Sequence, residues 1–372
     1  MKDWVIKEHE MPLQTVILGT GSYLPGDVIP NSWFRDHTFY KPDGTRIEKP
    51  TQEIIDKLRD ISGIVERRYL EEDLDAAEAG ARAGKAALED SGIDGEQLDG
   101  IIVAHNFGNI RKKGERSHLI PNLAALVKHR MGIQNHRAAA WDVLFGCPGW
   151  IQGMIQAHQA IQSGGGSTYL VIGVEIMSRV IDSHDLDNML FGDGAGAAVV
   201  KGVDTENGTG MLSYGTYSHC GEEVDYLNMG CSYMPDSDDY LYTKMNGRQV
   251  YRYGVNTLPE LVTDILGKAG VNLGEVDTFL FHQANEKMIV AIAEALFKKH
   301  GLSGDLDRLL PMNLQVTGNS SVATIPTLMD QIRKGVHPGR AISSGDALVM
   351  ASVGAGMHVN GLVYRVPPEG TH

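Results

Sequence analysis

The 372-residue chain is short of three things: cysteine, of which it has three, cations, of which 33 stand against 47 anions, and long apolar runs. Three cysteines make no disulfide framework in a chain this long. Runs such as IIVA (101–104) and TYLVIGV (168–174) fall far below the roughly 18–20 apolar residues of a membrane helix, so no membrane association is expected. The opening MKDWVIKEHEMP lacks the apolar core of a secretory signal, and the expected location is cytoplasmic. A net charge of −14 has the wrong sign for a nucleic-acid binder, which needs clustered Lys and Arg. An acidic protein partner would need a local basic patch. Arg111, Lys112, Lys113 and Arg116 form one candidate and Lys287, Lys298 and Lys299 another, although each taken alone reads as ordinary solvated charge.

What is present is enough apolar residue, 42%, for one large composite core or two domains. Short β-branched runs alternate with longer helical ones, which indicates an α/β class of layered sheets and helices. TVILGTGSYLP (15–25) reads as a strand and a glycine-rich turn, but Pro25 and Gly26-Asp27 stand where a dinucleotide-binding helix would continue. Residues 73–91 read as a helix closed by Gly92, IIVAH as a buried strand, 121–131 as a helix and RAAAWDVL as a strand. The run from Pro148 puts Trp150, Ile151, Met154, Ile155 and Ile161 at helical spacing up to a triple glycine. TYLVIGVEI is the next strand, and FGDGAGAAVVKGV (191–203) reads as a glycine-rich turn feeding another. Residues 204–243 are polar and loop-like and mark a boundary between two halves, 12–203 and 204–368. A helix near 249–269, the strand VDTFLFH, a second helix and the strands ALVMASVG and GLVYRV complete the second half.

Three stretches carry chemistry. In DVLFGCPGW (142–150), Cys147 sits between a strand and a helix, at a helix N-terminus whose dipole favours a thiolate. The tight turn between Gly146 and Gly149 is mechanically like a nucleophile elbow, yet a small buried structural cysteine fits this stretch equally. In FLFHQANEKMI (279–289), His282 ends a hydrophobic strand, a better setting for chemistry than those of His105, His118, His158, His184, His219 and His300. In VTGNSSVATIP (316–326), Asn319 lies in a polar turn before a helix, a pattern that can simply be a cap. His219, Cys220 and Cys231 lack the spacing and the fourth ligand of a metal site, and no metal is expected.

Together, Asp-Val-(x)3-Cys-x-Gly, FGDGAGA (191–197), His-Gln-Ala-Asn, Gly-Asn-Ser-Ser and a closing SVGAGMH (352–358), in this order, resemble β-ketoacyl-ACP synthase III of the thiolase superfamily, from about residue 13 to 367. The resemblance implies a five-layered αβαβα thiolase-like fold of two similar halves, in a homodimer. It implies a Cys147–His282–Asn319 site in which Cys147 holds an acyl primer and a malonyl-derived carbanion attacks it, giving a β-ketoacyl product in fatty acid initiation or a related lipid or polyketide pathway. The backbone N–H groups of Cys147 and Ala355 would form an oxyanion hole. Ser62, Met245, Gly247, Arg248 and Ala284 would contact the phosphopantetheine arm, and Lys287 would dock acyl carrier protein. Ile120 would reach the partner's acyl pocket. Substrates would arrive on CoA or carrier protein with no further cofactor, as acyl-CoA or acyl-ACP and malonyl-ACP.

Departures from the family pattern are as specific. Lys57 and Ile61 replace the tryptophan and arginine that sandwich the adenine of coenzyme A, and VIDSHDLDN has no clear counterpart of the second clamp arginine, which points to a carrier-bound primer or a different pose of CoA. The insertions at 36–50 and 216–243 are expected at the site entrance. Ile120 stands where many members have phenylalanine; as the smaller residue it is expected to admit branched or longer primers, and it cannot serve as the glutamate base of the long-chain condensing relatives. Glu115, the nearest candidate for the glutamate of a hydroxymethylglutaryl-CoA synthase, has no matching motif. The alternative on the same fold is an acyltransferase passing the Cys147 acyl group to an alcohol or amine, against which Asn319 argues because such a reaction has no enolate to stabilise. A non-catalytic acyl-binding subunit would not need the intact trio.

Overall fold

The computed structural model describes residues 13–205, 208–368 and 370; the N-terminal segment MKDWVIKEHEMP lies outside them. Two sheets dominate. Across the first, the order is Ala139–Val143, Gly100–Ala104, Thr168–Ile176, Asp193–Val203, Gln14–Tyr23. Across the second it is Thr278–Phe281, Ala347–Gly354, His358–Arg365, Gly210–Ser218. The last four strands of the first sheet and the four of the second run through one parallel and then two antiparallel pairings, with the opening strand of each half at the far edge. The two sheets are thus one topology used twice, although no sequence repeat is visible. The first adds an outer strand, Ala139–Val143, parallel to Gly100–Ala104.

Side-chain alternation assigns the layers, because successive residues of a strand face opposite sides. In Thr168–Ile176, Tyr169 and Val171 point to the middle of the molecule and pack on the helices Gly149–Gln162 and Thr324–Arg333. Leu170, Ile172 and Val174 point outward, onto Ala76–Ser91 and Leu123–Met131. In the second sheet Leu280, Leu348 and Met350 face the same central helices, while Phe279, Phe281 and Val349 face Gly247–Ala269 and Glu286–Lys299. The result is the five-layered αβαβα arrangement. Because both faces are covered, the central strands read as continuous apolar runs.

Three expectations need correction, and one cause serves all. TVILGTGSY and DGAGAAVVKGV are unbroken strands, and Gly210–Ser218 is a strand inside the segment read as loop. A Cβ at Gly19 or Gly21 would collide with the backbone of Ala76–Ser91, one at Gly196 would stand 2.6 Å from the nitrogen of Thr327, and one at Gly215 would stand 2.9 Å from Ile265. Glycine inside these strands marks the close approach of a helix, which the sequence pattern cannot distinguish from a turn. The 36–50 segment is ordered by pairing of Tyr40 with Arg46 and by burial of Phe39 against Phe34, Ile54 and Ile55. Among the described residues no helix is long and apolar enough to cross a membrane.

Candidate active site

Cys147 follows the strand Ala139–Val143 and precedes Pro148, which caps the helix Gly149–Gln162 with φ −70°. A proline there loses no intrahelical bond, because the first N–H groups of a helix have no internal partner. The turn is tight. Gly146 has φ +63°, and a Cβ on it would lie 2.7 Å from the nitrogen of Ala355; a Cβ on Gly354 would collide with the nitrogen of Cys147. The 146–147 and 354–355 backbones therefore lie against each other, and neither glycine tolerates a side chain.

The Cys147 thiol is free and half-buried on the wall of a cavity of about 350 Å³, whose lining includes Phe107, Met177, Phe191, Met229, Ser321 and Ala355. Burial pushes the thiol up to about 11; the Ser321 hydroxyl, donating to Sγ at 3.4 Å, opposes this, and the Glu175 carboxylate adds to it. The helix terminus alone suggested a thiolate. Burial works against it and favours the thiol, so attack on an acyl group is helped by a neighbour that takes the proton.

His282 is 6% exposed and ends the strand Thr278–Phe281, its N–H bonded to the carbonyl of Ala351. Its Nδ1 lies 2.8 Å from Thr324 Oγ1, which is itself 3.1 Å from the carbonyl of Ser321. A threonine hydroxyl has one proton. When it goes to the Ser321 carbonyl, Nδ1 carries the ring proton and Nε2 is an acceptor; when it goes to Nδ1, Nε2 carries the proton and is a donor. Burial holds the imidazole down at about 4, so the ring is neutral at physiological pH.

Asn319 is fixed on three sides. Its N–H donates to Leu190, its carbonyl accepts from Gly192, and its Oδ1 accepts from Ser321 N–H at 2.9 Å. Among the described residues no hydrogen bond holds its Nδ2, which leaves an amide donor available. Ser321, at φ +52°, is a non-glycine residue in the left-handed region, a conformation that persists only where the surroundings hold it. It links the Asn319 turn to Cys147, and through Thr324 to His282. The three motif residues converge on this one turn.

Sequence reasoning passed over four participants: Ser321, Thr324, Asn106 and Glu175. Glu175 is 2% exposed and accepts from Asn106 N–H at 3.1 Å and Asn106 Nδ2 at 2.6 Å; Nδ2 also reaches Ser321 Oγ at 3.1 Å. Burial pushes its carboxyl up to about 8 against those bonds. A lone carboxylate in the apolar strand TYLVIGVEI was a readable signal, since Glu is seldom fully buried without a partner.

The remaining expected residues are scattered. Met245 and Gly247 line a second cavity of about 400 Å³ together with Pro42 of the 36–50 insertion, and this cavity shares Asn228 with the one at Cys147. Arg248 is exposed beside it, and Ala284 is half-buried two residues beyond His282. Ser62 is 1% exposed, and its hydroxyl donates to the carbonyl of Leu58 and accepts from Ile64 N–H, closing its own helix. Lys57 and Ile61 share the exposed face of that helix. Ile120 is 93% exposed and does not line the Cys147 cavity of the single chain. Lys287, Lys298 and Lys299 do not form one patch, because Lys287 opens the 14-residue helix Glu286–Lys299 and the others close it, roughly 16 Å apart along the axis. Arg111, Lys112 and Lys113 line a separate cavity with Trp33 and Tyr69. Cys220 and Cys231 are free and exposed, and no group of three or more His, Cys, Asp or Glu among the described residues is placed to hold a metal.

Comparison with known proteins bears on this geometry. The family described as 3-oxoacyl-[acyl-carrier-protein (ACP)] synthase III matches residues 141–219, and its C-terminal counterpart matches residues 266–366. A β-ketoacyl-[acyl-carrier-protein] synthase III from Cereibacter sphaeroides is 32% identical over 95% of this chain and all of its own length. One from Oceanobacillus iheyensis is 32% identical over 92% of this chain and 95% of its own. The crystal structure of 3-oxoacyl-[acyl-carrier-protein] synthase III from Aquifex aeolicus superposes with a TM-score of 0.77 at 29% identity, covering 94% of this chain and 99% of that one.

Proposed function

The chain belongs to the 3-oxoacyl-[acyl-carrier-protein] synthase III family, and from that premise we propose that it condenses an acyl thioester primer with a malonyl thioester, with loss of CO2, to give a β-ketoacyl thioester. The observation that carries the reading is the turn at Ser321, which ties Cys147, His282 and Asn319 into one hydrogen-bonded constellation.

In the first half-reaction Cys147 attacks the primer carbonyl. Its thiol proton passes to His282 Nε2, the acceptor when Thr324 gives its proton to the Ser321 carbonyl, and then to the departing carrier thiol. The N–H groups of Cys147 and Ala355 receive the oxyanion; removing one such donor costs roughly 10²- to 10³-fold in rate. In the second half-reaction the malonyl group loses CO2 and leaves an enolate. Its oxygen needs donors rather than a base: His282 Nε2–H, present when the Thr324 proton turns to Nδ1, and Asn319 Nδ2. The enolate carbon attacks the Cys147 thioester, the C–S bond breaks, and the Cys147 thiolate takes up one proton from solvent, which balances the negative charge the malonyl carboxylate brought in.

The half that ends near residue 203 supplies the nucleophile, and the half beyond it the histidine and asparagine. Met245, Gly247 and Arg248 guide the phosphopantetheine arm along the cavity that shares Asn228 with the nucleophile's own, with Ala284 beside it, and Lys287 meets acidic acyl carrier protein. The substrates need no resident cofactor. A second copy covers the exposed Ile120, and the protein works as a cytoplasmic homodimer.

Intact-mass measurement after incubation with acyl-CoA and acyl-ACP donors tests the scheme, with Cys147→Ala as control. The expected result is one acyl adduct, absent from the variant, and CO2 release from malonyl-ACP by the unmodified protein. An adduct without malonyl decarboxylation would make it an acyltransferase instead.

A further inference from the structure

The cavity at Cys147 does not stand alone. A second one, of about 410 Å³, shares four lining residues with it: Asn106, Phe107, Leu144 and Met229. Beyond that common wall the further chamber is lined by Ile110, Leu119, Val180 and Leu241, with Arg116, Ser117, Asp239 and Tyr240 as its polar lining. Its lining is mostly apolar, and the wall it shares with the cavity at the thiol carries an aromatic ring, Phe107, and an unbranched methionine, Met229. Met229 has three rotatable bonds and no branch, so it can change rotamer at small cost.

The walls of this chamber are held in place. Met229 lies on the short strand Leu227–Gly230, paired with Tyr242–Met245. That hairpin is anchored at Asp182, whose carboxylate accepts from Lys244 Nζ at 2.6 Å, Tyr233 N–H at 2.8 Å and Ser232 Oγ at 2.9 Å. The two segments forming the outer wall are tied to each other, with the Tyr240 hydroxyl donating to the carbonyl of Glu115 at 3.1 Å. A mostly apolar space with tethered walls, adjoining the nucleophile's own cavity, has the form of an acyl-chain site.

Building on the condensing-enzyme reading, we infer that the primer is an acyl group too long for the cavity at Cys147, its tail passing between Phe107 and Met229 into the chamber of Ile110, Leu119, Val180 and Leu241. The 216–243 segment is then the part of this chain that sets primer length. Each further methylene buried in the chamber improves capture roughly fourfold until the chamber is full.

The test uses acyl-pantetheine thioesters, which need neither the carrier protein nor an adenine site. The rate of Cys147 acylation is followed by intact mass for acetyl, hexanoyl, dodecanoyl and palmitoyl donors. Dodecanoyl transfer should outrun acetyl transfer in the unmodified protein. Leu241→Trp and Leu119→Trp, from two separate segments and with side chains partly exposed in the single chain, should each lower the dodecanoyl-to-acetyl ratio about tenfold or more, as expected when a few methylenes are kept out. Acylation by acetyl and hexanoyl donors alone, or ratios unmoved by both variants, would overturn the two-chamber site while leaving the condensing reaction intact. Failure of every donor to acylate Cys147 would sink the reading beneath it.

Discussion

His105 and His282 occupy the same place in the two halves. Each follows directly on the strand that pairs in parallel with the next strand inward, and each gives its backbone N–H to a neighbouring strand, His105 to Val143 and His282 to Ala351. Their side chains have opposite fates. His105 accepts from Gly108 N–H at Nδ1 and so donates from Nε2 to Asp142 at 2.9 Å; both ring nitrogens belong to the scaffold. His282 has a partner only at Nδ1 among the described residues. The difference lies in one strand. Ala139–Val143 brings Asp142 beside His105, whereas nothing pairs with the outer side of Thr278–Phe281 in the second sheet. An absent edge strand leaves the second histidine without a carboxylate, buried and neutral, with a nitrogen to use.

The largest effect expected from this contrast is on rate. His282→Ala should lower condensation by roughly 10²- to 10⁴-fold, the range for a positioned proton-transfer group, while the protein stays folded. His105→Ala should do the reverse, costing about 1.5–3 kcal/mol in urea unfolding through the lost bond to a charged group and sparing the chemistry in the molecules that remain folded. If the two variants lose activity equally at equal stability, the contrast is wrong.

The next effect is on the pH dependence of stability. An unfolded His282 titrates near 6.5 and the folded one at about 4, so between those values the unfolded chain binds more protons. This contribution to stability is complete above pH 6.5 and is lost as pH falls toward 4. It amounts to about 3 kcal/mol. Urea midpoints at pH 7 and pH 4.5 should diverge less in His282→Asn than in the unmodified protein. Asp142 acts in a lower window. Hydrogen bonds from His105, Ala124 and Leu123 offset its burial and leave its carboxyl below the usual range, so its contribution persists above that range and fades only as pH drops through the lowered value.

A smaller effect sharpens the role of the hydroxyl behind His282. Thr324→Val removes the group that either accepts from Nδ1 or donates to it, and should cost about tenfold in each half-reaction, in keeping with one neutral hydrogen bond of about 1–1.5 kcal/mol. Thr324→Ser should restore most of it. Equal losses in both variants would mean that packing, and not the hydroxyl, matters.

How much of this was legible in the sequence depends on what each signal measures. The layered α/β fold was readable because covered strands are apolar runs and their helices have caps. Gly210–Ser218 was not, because the small residues that admit the helix Gly247–Ala269 look like a loop. Cys147, His282 and Asn319 stood out as residue types at strand and helix ends. Ser321 and Thr324 did not, since their roles lie in bonds to residues 174 and 42 positions away, and spacing along the chain carries no trace of such contacts. Ser62 shows a related limit, because its place in a motif said nothing of the bond its hydroxyl makes to Leu58.

The same comparison of halves extends to the helices that follow the two histidines. Leu123–Met131 begins beneath Asp142, whose carboxylate accepts from Leu123 N–H at 2.9 Å and Ala124 N–H at 2.7 Å, so its positive end is neutralised inside the molecule. Glu286–Lys299 is capped only by Asn285, bonded to Met288 N–H at 2.8 Å, and Lys287 is exposed in its first turn. One helix start is therefore closed by an internal carboxylate, and the other carries an exposed cation, Lys287, next to Glu286. In the proposed docking of an acidic carrier, Lys287 would be a rim contact, which acts on encounter more than on the bound complex. Lys287→Glu should raise KM for carrier-bound donors roughly fivefold, with the loss shrinking as salt rises, and should leave pantetheine donors unaffected. Lys298→Glu, at the far end of the same helix, should change neither. Equal effects from the two lysines would show that the carrier responds to net charge and not to the open helix start.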